Sequence, residues 1–61
     1  MDKKEFAQKL KDCRNAAGLT QAEMSERMKI PLGTIKKWEC SNRECPEYTQ
    51  ILILKELERM V

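Results

Sequence analysis

Three thiols, Cys13, Cys40 and Cys45, are the only zinc-type sulfur ligands and strong nucleophiles in a chain that has no histidine. Cys40 and Cys45 stand in a C-x4-C spacing, but a closed zinc site takes four nitrogen or sulfur ligands and three thiols cannot supply them. An odd number cannot all pair within one copy, so reduced thiols are expected, with Cys40 and Cys45 as small buried or half-buried side chains. Without histidine the commonest general base is missing, and Ser25 and Ser41 have no evident partner to activate a hydroxyl. Catalysis, a metal centre and a cofactor are all disfavoured on these grounds.

The other chemically capable residues are cations. Between Arg27 and Arg43 five of them (Arg27, Lys29, Lys36, Lys37, Arg43) stand against one anion, Glu39, a local +4 in a chain of net charge +2. From Glu44 to Val61 four acids outnumber two bases, a local −2. An anionic partner is therefore expected at the middle of the chain.

The elements that hold these cations are legible as helices. A chain of 61 residues, 41% hydrophobic and 36% charged, with two Gly and two Pro, reads as one compact helical domain over residues 1–61. No apolar run approaches the roughly 20 residues that span a bilayer. The N-terminus (Asp2, Lys3, Lys4, Glu5) is charged, unlike a signal peptide, so no membrane association and a cytoplasmic location are expected.

Phe6, Leu10, Cys13 and Ala17 recur on one stripe of a helix from about Asp2 to Ala17, which Asp2 and Glu5 cap, Met1 staples to Phe6 and Gly18 ends. Thr20 and Glu23 form a capping box for a second helix, with Leu19 stapled to Met24 and with Met24 and Met28 inward. Ser25, between these methionines, is small enough to let another helix approach. Pro31 interrupts that pattern and fits the first turn of a third helix, in which Ile35 and Trp38 face the core and Lys36 and Lys37 point away. Cys40 to Cys45 reads as a loop, and Pro46 in the first position opens a last helix that carries Tyr48, Ile51, Leu52, Ile53, Leu54, Leu57, Met60 and Val61. Four successive apolar residues, Ile51 to Leu54, wrap too far around a helix for one face to cover. Part of that surface belongs to the core, and the rest is exposed or covered by another chain.

Two short helices joined by a tight turn, the second apolar inside and basic outside, form a helix-turn-helix at residues 20–39, whose second helix can enter the major groove of DNA. The sequence here resembles the lambda-repressor and Cro type of helix-turn-helix regulator, the Xre family. The resemblance runs from about Phe6 to Leu57 and rests on L-T-Q-A-E-M at 19–24, I-P-x-x-T-I-x-x-W-E at 30–39 and N-R-E-C-P-E-Y at 42–48.

That resemblance implies an all-α, lambda-repressor-like domain of four helices, with room for a fifth, that binds double-stranded DNA as a transcriptional regulator, most often a repressor. Its recognition helix would be 32–40. By the same resemblance Gln21 contacts a phosphate and buttresses that helix, Leu32, Gly33 and Lys37 meet base edges, Thr34 and Lys36 lie near the backbone, and Asn42 and Arg43, in the 41–45 loop, follow the phosphates. The chain departs from the family pattern at Pro31, where a Ser or Thr cap is usual, at Gly33, where a long polar reader is common, and at Ser41 and Cys45, which replace a common Gly and Pro.

A homodimer through Ile51, Leu52, Ile53 and Leu54 would suit a palindromic site. The competing expectation is an antitoxin-like or adaptor module that uses the 51–54 face to hold a protein partner.

Overall fold

Caps decide where the first two helices begin. In the computed structural model, which describes residues 2–60, the Asp2 carboxylate accepts from the Glu5 amide at 2.9 Å and opens α1 (Lys3–Ala16). The expected staple from Met1, and Val61 at the other end, lie outside the described residues. At α2 (Gln21–Met28) the Thr20 hydroxyl accepts from the Glu23 amide at 3.1 Å, and the Glu23 carboxylate accepts from the Thr20 amide at 2.9 Å. The backbone bond from Thr20 is the main reason the Glu23 carboxyl sits below its ordinary range.

Two prolines lead α3 (Leu32–Glu39) and α4 (Glu47–Arg59), and α3 begins at Leu32 as expected. Both occupy the cap; for Pro46 this lies one residue outside the expected first helical position, so α4 begins at Glu47. Their φ of −55° and −56° suits a helix, but ψ of 135° and 141° is extended. The Pro31 carbonyl nevertheless accepts from the Thr34 and Ile35 amides, and that of Pro46 from Gln50. A proline there starts the ladder yet offers no side-chain cap.

Left-handed residues close three of the helices. Gly18 (φ 72°), Lys29 (φ 58°) and Ser41 (φ 61°) reverse the chain after α1, α2 and α3. The Leu19 amide then reaches the Arg14 carbonyl at 3.1 Å and the Asn42 amide the Lys37 carbonyl at 2.9 Å, the long bond of a Schellman turn. After α2 the Ile30 amide donates to the Ser25 carbonyl while the Ser25 hydroxyl donates back to the Ile30 carbonyl. Ser25 thus locks the turn in addition to being small. Because Ser41 closes the turn, α3 ends at Glu39, one residue before the expected 40.

The core gathers Phe6 and Leu10 of α1, Met24 of α2, Ile35 and Trp38 of α3, and Ile53, Leu54 and Leu57 of α4. Helix α1 packs on α3 and α4, and α2 packs on α3. Phe6 meets Trp38 edge-on, with centroids 6.2 Å apart. Cys13, Ala17, Leu19 and Met28 lie at the core's edge, half-buried.

Two expectations need correction. Ile53 and Leu54 belong to the core cluster, so only Ile51 and Leu52 of the four remain exposed. The C-x4-C pair is split: Cys45 is buried, which pushes its thiol up, whereas Cys40 is exposed because it lies just past the end of α3. Gln50 holds the intervening loop to α4, its buried amide donating to the Cys45 carbonyl at 2.8 Å.

Ser41 carries a β-carbon in a left-handed conformation that favours glycine. Ser41→Gly is expected to stabilise the fold by about 0.5–1 kcal/mol after allowing for glycine's looser unfolded state, seen as a higher urea midpoint. Fluorescence of Trp38, the single tryptophan, reports the transition; an unchanged or lowered midpoint would contradict the turn.

Candidate nucleic-acid interface

Helix α3 divides cleanly. Ile35, Trp38 and Glu39 are buried, Leu32 and Thr34 are half-buried, and Gly33, Lys36 and Lys37 are exposed. Gly33 lies three and four residues before the two lysines, which puts all three on one outward stripe. Asn42 and Arg43, just past the end of the helix, are exposed as well.

The brace behind that stripe is polar. Gln21, the first residue of α2, is half-buried, and its Nε2 donates to Glu39 Oε1 at 3.2 Å. The same carboxylate, in a residue only 3% exposed, takes two bonds from Arg14 of α1: Nε to Oε2 at 2.9 Å and Nη2 to Oε1 at 3.2 Å. Arg14 Nη1 donates to the Leu19 carbonyl at 2.8 Å, just ahead of α2. One acid therefore ties together α1, the start of α2 and the end of α3.

A helix-turn-helix family model matches residues 10–41, from the middle of α1 through α2 and α3 to the turn at Ser41. The chain belongs to the Cro/C1-type helix-turn-helix family. No curated protein and no solved structure matches it. The matched segment holds Gln21 and the whole of α3 and stops before Asn42, Arg43 and α4.

Cro/C1-type domains are DNA-binding regulatory units, and the charge on this one is better placed for that task than its sequence suggests. Glu39 is the lone anion of the 27–43 stretch, and it points inward onto Arg14. Toward solvent the stretch is purely cationic. In the sequence Glu39 counted only as the lone anion of its stretch, and Arg14 did not stand out. The available signal was weak: Arg14 follows Cys13 at the flank of the apolar stripe, and Glu39 directly follows Trp38.

Removing one member of a buried pair leaves the other unpaired, which costs more than the pair contributes. Glu39→Ala is accordingly expected to lower stability by about 3 kcal/mol. The double change Arg14→Met with Glu39→Leu should recover most of it, since an apolar pair needs no partner charge. Urea midpoints for the three proteins test this; a single variant within about 1 kcal/mol of wild type would mean the pair is solvent-screened.

Proposed function

We propose that this chain is a sequence-specific regulator of transcription that binds double-stranded DNA and represses by occupying its operator. The observation that carries the reading is the division of α3, in which an inner side locked by Ile35, Trp38 and Glu39 backs an outer side of exposed Lys36 and Lys37. A rigid helix with a free cationic flank fits a groove about 12 Å wide. In this reading Leu32, Gly33 and Lys37 meet base edges, Thr34 and Lys36 lie near the backbone, and Asn42 and Arg43 follow the phosphates.

Gln21 fits a double duty. An amide nitrogen carries two hydrogens; one is directed at Glu39, and the other donates to a phosphate oxygen. The same side chain then fixes α3 and registers the domain on the duplex.

Two copies suit the dimensions. The Cα envelope measures 24 × 20 × 17 Å, shorter than the roughly 34 Å between successive half-sites on one face of DNA. Tyr48, Ile51 and Leu52 on α4 are 75%, 50% and 50% exposed, an apolar patch that suits a small, weak homodimer contact. The same patch supports a second reading, a module that holds a different protein in the manner of an antitoxin or adaptor.

Lys37→Ala should narrow the difference between a selected duplex and a scrambled one, whereas Arg43→Ala should weaken both alike and reduce the salt slope by about 1. Titrations across a salt series check this, and two variants with wild-type affinity and slope would overturn the reading. Sedimentation should find a concentration-dependent dimer that Leu52→Glu abolishes. A monomer at every concentration, on and off DNA, would remove the dimer. A co-purifying second protein, with no shift of duplex DNA, would favour the partner module.

A further inference from the structure

Glycine serves a fold by taking a left-handed torsion or by letting another segment approach, and Gly33 does neither. Gly18 needs its φ of 72° to end α1, but Gly33 lies inside α3 without a left-handed torsion. A β-carbon placed on Gly33 would meet no heavy atom within 4 Å. The protein's own packing leaves the position empty.

Helix α3 is also a poor host for it. Eight residues make barely two turns, and Pro31 contributes no side-chain bond to the free amides of the first turn. Glycine is the weakest helix former after proline, since it has the most backbone freedom to lose. Folding alone would favour almost any other small residue here. What a side chain would obstruct must then lie outside the free chain, on the stripe that Gly33 shares with Lys36 and Lys37.

We propose that Gly33 is a specificity-determining gap, leaving bare backbone on the leading turn of α3 so that the helix seats against base edges deeper than any β-carbon would allow. The inference rests on the DNA-binding reading above and adds the position that sets the depth of insertion. Half-buried Leu32 and Thr34 flank the gap, and the two lysines stand one turn behind it. A complex held by phosphates alone, with the helix riding higher, has no need of the gap.

The test pairs stability with selectivity. Wild type, Gly33→Ala and Gly33→Ser are compared by thermal melting and by affinity for two duplexes, one selected by wild type from a random pool and one scrambled from it. Gly33→Ala is expected to raise Tm by about 4 °C. It should at the same time lose about tenfold or more on the selected duplex with little change on the scrambled one, and Gly33→Ser should lose at least as much. An alanine variant that binds the selected duplex as well as wild type, that loses equally on both, or that melts earlier would overturn the inference alone. Wild-type protein that selects no sequence would overturn the DNA reading and the inference with it.

Discussion

A carboxylate withdrawn from water must be matched by a cation and by donors for its remaining lone pairs, and Glu39 is matched on both counts. Arg14 approaches it with two nitrogens and Gln21 with one. Apolar contacts among Phe6, Ile35 and Trp38 would tolerate some sliding of α3 over α1, whereas three directional bonds to one carboxylate do not. The orientation of α3 is thereby fixed by a residue 25 positions earlier in the chain. Everything exposed on the outer side of α3 inherits that orientation.

Helices of eight residues do not persist alone in water. Helices α2 and α3 exist because each is capped or packed at both ends: the capping box and the Ser25 lock for α2, and the core side chains and the Ser41 turn for α3. Since the inner side of α3 supplies nearly all the stabilising contacts, its outer side is free of structural duty. Lys36 and Lys37 can occupy it without a counter-ion, because both stay in water.

What could be read from the sequence was whatever is local or periodic. The stripe through Phe6 and Leu10, the box at Thr20 and Glu23, and the inward pair Ile35 and Trp38 all follow from spacing within one or two turns. Proline at the cap and proline at the first helical position differ by one residue and share the same φ, so Pro46 was displaced by one. Cysteine is small enough to suit either environment, so nothing separated exposed Cys40 from buried Cys45. In Ile51 to Leu54 the spacing required a division but could not say where, because the core residues that α4 joins come from the earlier helices. The Arg14–Glu39 pair had no periodic signature at all. It joins two elements whose juxtaposition only the tertiary fold supplies.

The misfits that remain have a common address. Lys29 and Ser41 carry side chains in left-handed turns where glycine would be at ease, while Gly33 sits in a helix where serine or lysine would be at ease. Pro31 starts α3 without a side-chain cap, but Pro46 starts α4 in the same way, so a bare cap is not peculiar to this stretch. The other three fall between residues 29 and 41, in the turns on either side of α3 and in α3 itself; α1 and α4 hold no helical glycine and no left-handed residue other than glycine among the described residues. Natural sequences keep local preference and global fold in agreement except where function overrides it. A concentration of such overrides along one exposed helix is therefore evidence about the site that does not depend on its charge. In the proposed reading the cations of α3 suit an anionic partner, and the misfits are an argument for the same helix that rests on backbone preference instead of charge.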